Sequence, residues 1–143
     1  MSPGPAKPEA LQAMLRKAEE KLAVSQRDLE MNFFDDAASR AYYAVYHAVS
    51  AVLAERGLSF STHGQTLGAF NREFVKTNIF PADTFRKIQR LYGDREVGDY
   101  DWKQSVDQES AERDLEDAKN IVKACRNYLE KLAERSRKRG SPK

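Results

Sequence analysis

The sequence is poor in several things, and each scarcity excludes something. Its one cysteine, Cys125, rules out an internal disulfide framework, and with only two histidines, His47 and His63, there is no spacing that builds a Cys/His metal centre. Seven glycines and five prolines in 143 residues are too few for a loop-rich or all-β chain. No run of about 18 apolar residues is present to cross a membrane. The proline-rich start, residues 1–8, lacks the apolar stretch of a signal peptide, so a cytoplasmic protein that does not engage membranes is expected. Glycine-rich phosphate loops and the G-x-S-x-G elbow are absent as well, and neither a metal nor a cofactor is expected.

What is present suits helices. Charged residues make up 32% of the chain, and its length fits one domain with a real core. The formal net charge is only +2, too small to draw in nucleic acid by a global field, yet it is unevenly placed. From Lys131 onward, Lys131, Arg135, Arg137, Lys138, Arg139 and Lys143 face a single acidic residue, Glu134. The rest carries 18 basic against 21 acidic residues, a net −3. Such a tail could touch phosphate, or could be a solvated helix end that relaxes into a disordered terminus. The expected division is a flexible start at 1–7, a helical bundle at 8–134 and a basic tail at 135–143.

Apolar spacing places the elements. Leu11, Leu15, Ala18, Leu22 and Leu29 line one face of a first helix beginning near Pro8. Asp35 or Asp36 could cap a second helix running from about 36 to 56. Its Ala37, Ala41, Ala44, Val45, Ala48, Val49, Val52 and Leu53 cover more than half its circumference, so it is expected to be the central, most buried helix, stopped by Gly57. Thr62-His63-Gly64-Gln65 fits a capping box for a short third helix to about Lys76, and Pro81 suits the first turn of a fourth that reaches about Arg95, with Gly93 and Gly98 bracketing a weak point. Ser105-Val106-Asp107-Gln108 fits a second capping box. The long fifth helix after it carries an apolar stripe through Ala111, Leu115, Ala118, Val122, Cys125, Leu129 and Leu132. Cys125 therefore reads as a small core hydrophobe. The fold class is all-α: an up-and-down antiparallel bundle of four main helices plus one short helix.

Two constellations could carry chemistry. Asp36, Arg40, Tyr43 and His47 are spaced 4, 3 and 4 apart and so stack along one stripe of the central helix. They could form a buried hydrogen-bonded set with an Asp36–Arg40 ion pair, or present His47 to a cleft as acid, base or ligand. The second is Arg95-Glu96-Val97-Gly98-Asp99-Tyr100-Asp101-Trp102, placed at or just past the end of the fourth helix. There Arg95 offers a fork of donors to phosphate or carboxylate, and Tyr100 and Trp102 could stack on a base. Equally, Arg95 could pair with Asp99 to hold the loop.

Taken in order, the run from Ser39 to Ala48 (Ser-Arg-Ala-Tyr-Tyr-Ala-Val-Tyr-His-Ala), Thr62-His63, Glu73-Phe74-Val75-Lys76, and Arg95 with Asp99-Tyr100 resemble the pattern of the HEPN family, in particular its compact prokaryotic branch, from about Ala10 to Leu132. The resemblance implies a helical bundle assembled as a homodimer whose cleft gathers polar residues. It further implies either pairing with a small nucleotidyltransferase as a toxin–antitoxin pair or metal-independent ribonuclease action through Arg, four to six residues, then His. Here positions 100 to 102 are Tyr100, Asp101 and Trp102, so the motif histidine is missing. Tyr, with an ordinary pKa of about 10, replaces it poorly at neutral pH. The leading expectation is a module that binds a nucleotidyltransferase partner, a nucleotide or RNA through Arg95, Asp99, Tyr100, His47, Arg40 and Tyr43. The alternatives are an endoribonuclease using Arg95 and His47, and a non-catalytic dimerisation domain.

Overall fold

The structure, a computed structural model, describes residues 4–140. In chain order its helices are α1 (Pro8–Glu30), α2 (Phe34–Glu55), α3 (His63–Phe70), α4 (Thr84–Tyr100) and α5 (Gln108–Gly140), with α3 running on into a π-helical turn, Asn71–Val75. Among the described residues there is no strand, and the architecture is the expected up-and-down bundle with one added short helix. None of these helices is long and apolar enough to cross a membrane.

The centre is α2, as its composition requires. Ala37, Ala38, Ala41, Ala44, Ala48 and Ala51 have no exposed surface, and these small side chains let neighbours approach closely on several sides. Between them Tyr42, Val45, Val49, Val52 and Leu53 supply bulk, each buried aliphatic contributing roughly 1.5–3 kcal/mol. α1 returns antiparallel along α2, where the buried Ser25 hydroxyl donates to the Ala37 carbonyl at 2.7 Å. α4 also runs antiparallel to it, so that Asp99 meets Ser39 and Arg95 meets Tyr43. α5 lies parallel, Ala111 packing on Ala37 and Ala38 at one end and Leu129 reaching the level of Glu55 at the other. Gly57 takes the left-handed φ of 77° that ends α2 as expected.

Four boundaries differ from the expected ones. α2 begins at Phe34, so Asp35 and Asp36 fall inside its first turn, where they suit the helix dipole, and neither caps it. Asp35 instead accepts the Val106 amide at 2.7 Å, tying the start of α2 to the lead-in of α5. Thr62 caps α3 through the Gln65 amide, but the Gln65 side chain meets the Ser61 hydroxyl rather than closing the box. α5 starts two residues later than its Ser105 signal: Asp107 accepts the Ser110 amide at 2.8 Å, and that bond holds its carboxyl below the usual range. α4 starts after Pro81, at Thr84, and runs through Gly93 and Gly98 to Tyr100. Gly98 does not break the helix; it admits the backbone of α2, since a Cβ there would lie 2.8 Å from the Asp35 carbonyl oxygen.

The basic residues Arg135, Arg137, Lys138 and Arg139 are carried, exposed, on the last turns of α5. At the other end the Ala6 amide donates to the Ala54 carbonyl at 2.9 Å. The remainder of the expected flexible start, residues 1–3, and of the basic tail, 141–143 with Lys143, lies outside the described residues. Cys125 is fully buried in the core, and burial pushes its thiol pKa up.

Between α4 and α5 sits a buried acid pair. Asp114 has no exposed surface, and its carboxyl meets that of Asp94. One oxygen of each, both Oδ2, is buried without any other partner. Arg90 donates to Asp114 at 3.2 Å and to Asp117 at 2.5 Å. Asp117 thus supplies a full counter-charge, while burial and Asp94 push the Asp114 pKa up to about 8.

Two measurements follow from this packing. A methyl group added at Gly93 would meet nothing within 4 Å, so Gly93→Ala is expected to stabilise by up to ~1 kcal/mol through helix propensity. Gly98→Ala is expected to destabilise by ~1–3 kcal/mol because the added methyl meets backbone; chemical denaturation of both variants, showing opposite signs, checks the close approach. Asp114 binds a proton more tightly folded than unfolded, so its contribution is fully present below the unfolded value of about 4. It is lost as pH rises to about 8. Denaturation midpoints between pH 5 and 9 should therefore fall more steeply for the natural chain than for Asp114→Asn.

Candidate functional site

The antiparallel register of α2 and α4, with the start of α3 alongside, gathers the polar side chains at one face. Arg95 is the hub, with 9% of its surface exposed. Its Nε donates to Asp99 at 3.1 Å, its Nη1 to Glu96 at 2.9 Å, and its Nη2 to the hydroxyls of Tyr43 at 2.5 Å and Tyr100 at 3.2 Å. Ser39 fixes Asp99 from α2 by donating at 3.0 Å. The guanidinium also lies 5.2 Å from the Tyr43 ring, 5.1 Å from that of Tyr100 and 5.8 Å from that of Tyr42. Burial works against its charge, but Tyr43, Tyr100 and Glu96 outweigh that and hold its pKa above the ordinary value.

Beside this hub stands His63, the first residue of α3. Its Nδ1 is 2.7 Å from the Tyr42 hydroxyl, and its ring stacks on Tyr46 at 4.1 Å between centroids. Burial, with neighbouring tyrosines, pushes the Tyr42 pKa up, so the phenol keeps its proton while it shares a hydrogen bond with Nδ1. The Nε2 of His63 is not buried and has no partner among the described residues. Burial first, and then the charge of Arg95, lower the His63 pKa and keep the ring neutral.

Of the residues singled out from sequence, Arg95, Asp99, Tyr100 and Tyr43 come together. His47 and Arg40 do not join them. His47 sits about one turn further along α2, where burial and the charges of Lys17 and Lys21 on α1 lower its pKa, and it touches the Tyr46 ring. Arg40 is exposed, with Asp28 as its charged neighbour, and no ion pair joins it to Asp36 among the described residues. The stripe divides because the side chains on its two flanks meet different helices, α4 for Tyr43 and α1 for His47.

Sequence reasoning gave Ser39, Tyr42 and Tyr46 no role in the site, named Glu96 in the second constellation without a role, and placed His63 in a capping box and in the family pattern but not in the site. The tyrosine spacing 42, 43, 46 was a usable signal for one helix face. Nothing local could reveal that the start of α3 reaches that face. No group of three or more His, Cys, Asp or Glu side chains among the described residues is placed to hold a metal ion. Beyond Arg95 the surface is aromatic: Tyr92, Tyr100 and Trp102 are exposed by 38%, 66% and 88%. A shallow cavity of about 350 Å³ is lined by Glu96, Val97, Tyr100, Asp101 and Trp102.

Comparison with known proteins agrees with this architecture. The chain is 31% identical over 119 residues to the Methanocaldococcus jannaschii protein named "Putative toxin MJ0142", covering 83% of this chain and 81% of that one. It is 34% identical over 117 residues to a UPF0332 protein of Thermotoga maritima, covering 82% and 89%. The fold is similar to the crystal structure of TT1696 from Thermus thermophilus, with a TM-score of 0.70 at 17% identity over 82% of this chain and 96% of that one. Residues 11–128, from the first apolar position of α1 nearly to the last buried leucine of α5, match the HEPN domain, and the chain belongs to the HEPN family.

Proposed function

We propose that this chain is the toxin-type member of a two-protein pair, that its Arg95 face binds a nucleotide or a phosphate–base unit of RNA, and that it works as a homodimer with a small nucleotidyltransferase as partner. One observation carries the reading. A charged guanidinium, fixed by Asp99 and Tyr43, stands at the edge of an exposed aromatic surface containing Tyr100 and Trp102. Phosphate wants the fork of donors, and a base wants a ring to lie on. The toxin names of relatives from Methanocaldococcus jannaschii support the biological setting, and the HEPN resemblance supports the partner and the dimer.

A second reading, metal-independent RNA cleavage, gains support from one specific feature. The motif histidine is absent after Arg95, yet His63 brings an imidazole with an open Nε2 to the same tyrosines that flank Arg95. On this reading His63 takes the role that sequence reasoning assigned to His47.

Binding is tested by titrating a fluorescent single-stranded RNA with the purified protein. Trp102→Ala should weaken it roughly 5- to 150-fold, the equivalent of one lost stack of ~1–3 kcal/mol. Arg95→Ala should abolish it while the helical circular dichroism persists, and equal affinity in all three proteins would end the proposal. Co-purification of the chain with a co-expressed small nucleotidyltransferase tests the partner. For cleavage, His63→Ala should remove activity and His47→Ala should leave it. The rate should climb with pH through a value below histidine's ordinary ~6.5, because the working form is the neutral ring that gives its Nδ1 proton to the Tyr42 oxygen and keeps Nε2 free to accept one.

A further inference from the structure

Arg95 has five N–H donors, and the structure accounts for four of them. The inner partners are fixed. Asp99 is held by Ser39, and Tyr43 is half-buried on α2 with its ring edge against Tyr42. The outer partners, Glu96 and Tyr100, stand on the solvent side, where the Glu96 side chain is 42% exposed and Tyr100 66%. An oxyanion that grips a guanidinium end-on needs one donor from each of the two terminal nitrogens. Glu96 occupies Nη1 and Tyr100 shares Nη2, so the positions a phosphate would use are filled from within.

We infer that the Glu96 carboxylate is a built-in stand-in for the ligand's phosphate, and that a nucleotide enters by replacing Glu96 at Arg95 while its base settles in the adjoining cavity between Tyr100 and Trp102. The inference rests on the proposed Arg95 binding face and adds to it the ligand's two parts and the group they displace. Geometry favours exchange over a permanent ion pair. Glu96 follows Arg95 directly in sequence, and its far side is held only by the hydroxyl of the exposed Tyr92. Glu96 is the solvent-facing partner of this pair, so water and ions can compete for its carboxylate and replace it at Arg95. The shallow cavity that Glu96 and Tyr100 line opens beside the ion pair and gives a base an aromatic surface to lie on. With Asp99 and Glu96 both against one guanidinium the free site carries a local charge of −1, which repels phosphate; removing Glu96 brings it to neutrality.

This arrangement predicts an unusual sign: removing a polar side chain's charge improves binding. Glu96→Gln keeps the shape and deletes the charge, and is expected to bind AMP roughly 3- to 10-fold more tightly than the natural chain, the effect of one unit charge a few ångströms away when water screens it fully, as at this solvent-facing side chain. Inorganic phosphate should gain by a similar factor from a weaker start, and adenosine, which has no phosphate, should gain nothing. Arg95→Lys, which keeps the charge but loses the fork, should lose AMP binding in either background. AMP affinity that depends on Arg95 but is unchanged or weaker in Glu96→Gln would overturn the exchange and leave the binding face intact. Failure of all these proteins to bind AMP or RNA would overturn both.

Discussion

A helix surrounded on most of its circumference can keep polar side chains only where a neighbour answers them, and α2 sets this condition for the whole molecule. Its alanines, wholly buried from Ala37 to Ala51, bring α1, α4 and α5 close. Closeness leaves no room for water to solvate Ser39 or Tyr42 and little for the half-buried Tyr43, so their hydroxyls meet partners from other elements. Asp99, His63 and Arg95 are those partners. The candidate site is thus the polar complement of the core, formed where the central helix has polar groups and its neighbours reach across to satisfy them.

The same constraint explains the electrostatics. Arg95 keeps its charge despite burial because two carboxylates and a shell of tyrosine hydroxyls surround it. His63 stays neutral because it shares that region with the guanidinium and is partly desolvated. One charged donor and one neutral imidazole side by side are a useful pair for a phosphodiester, since the first can bear developing negative charge while the second exchanges a proton.

Much of the fold was legible in the residues and less of the site. The amphipathic stripes of α1 and α5 are long and regular, and the alanine-rich composition of α2 announces its burial. The end of α4 misled because glycine is both a helix breaker and the residue of close packing, and only the neighbouring Asp35 backbone decides which role Gly98 plays. Asp35 misled in the same way: a carboxylate before a helix can cap its own turn or a distant amide, and Val106 lies 71 residues away. Arg95, Asp99 and Tyr100 were readable because they sit within six residues on one helix. His63 was not, because its place depends on how the α2–α3 connection folds back onto Tyr42 and Tyr46.

Asp94 and Arg95 are neighbours in sequence that leave α4 about 100° apart, one into the buried acid pair with Asp114, the other into the tyrosine face. A helix held on a single flank can roll about its axis, and a side chain on its free flank then sweeps an arc. Pinned on both flanks, α4 behaves like a keyed shaft. Asp114 and Arg90 lock one flank while Asp99 and Ser39 lock the other, so the direction in which the guanidinium looks is set partly by a contact made away from it, out of reach of any ligand.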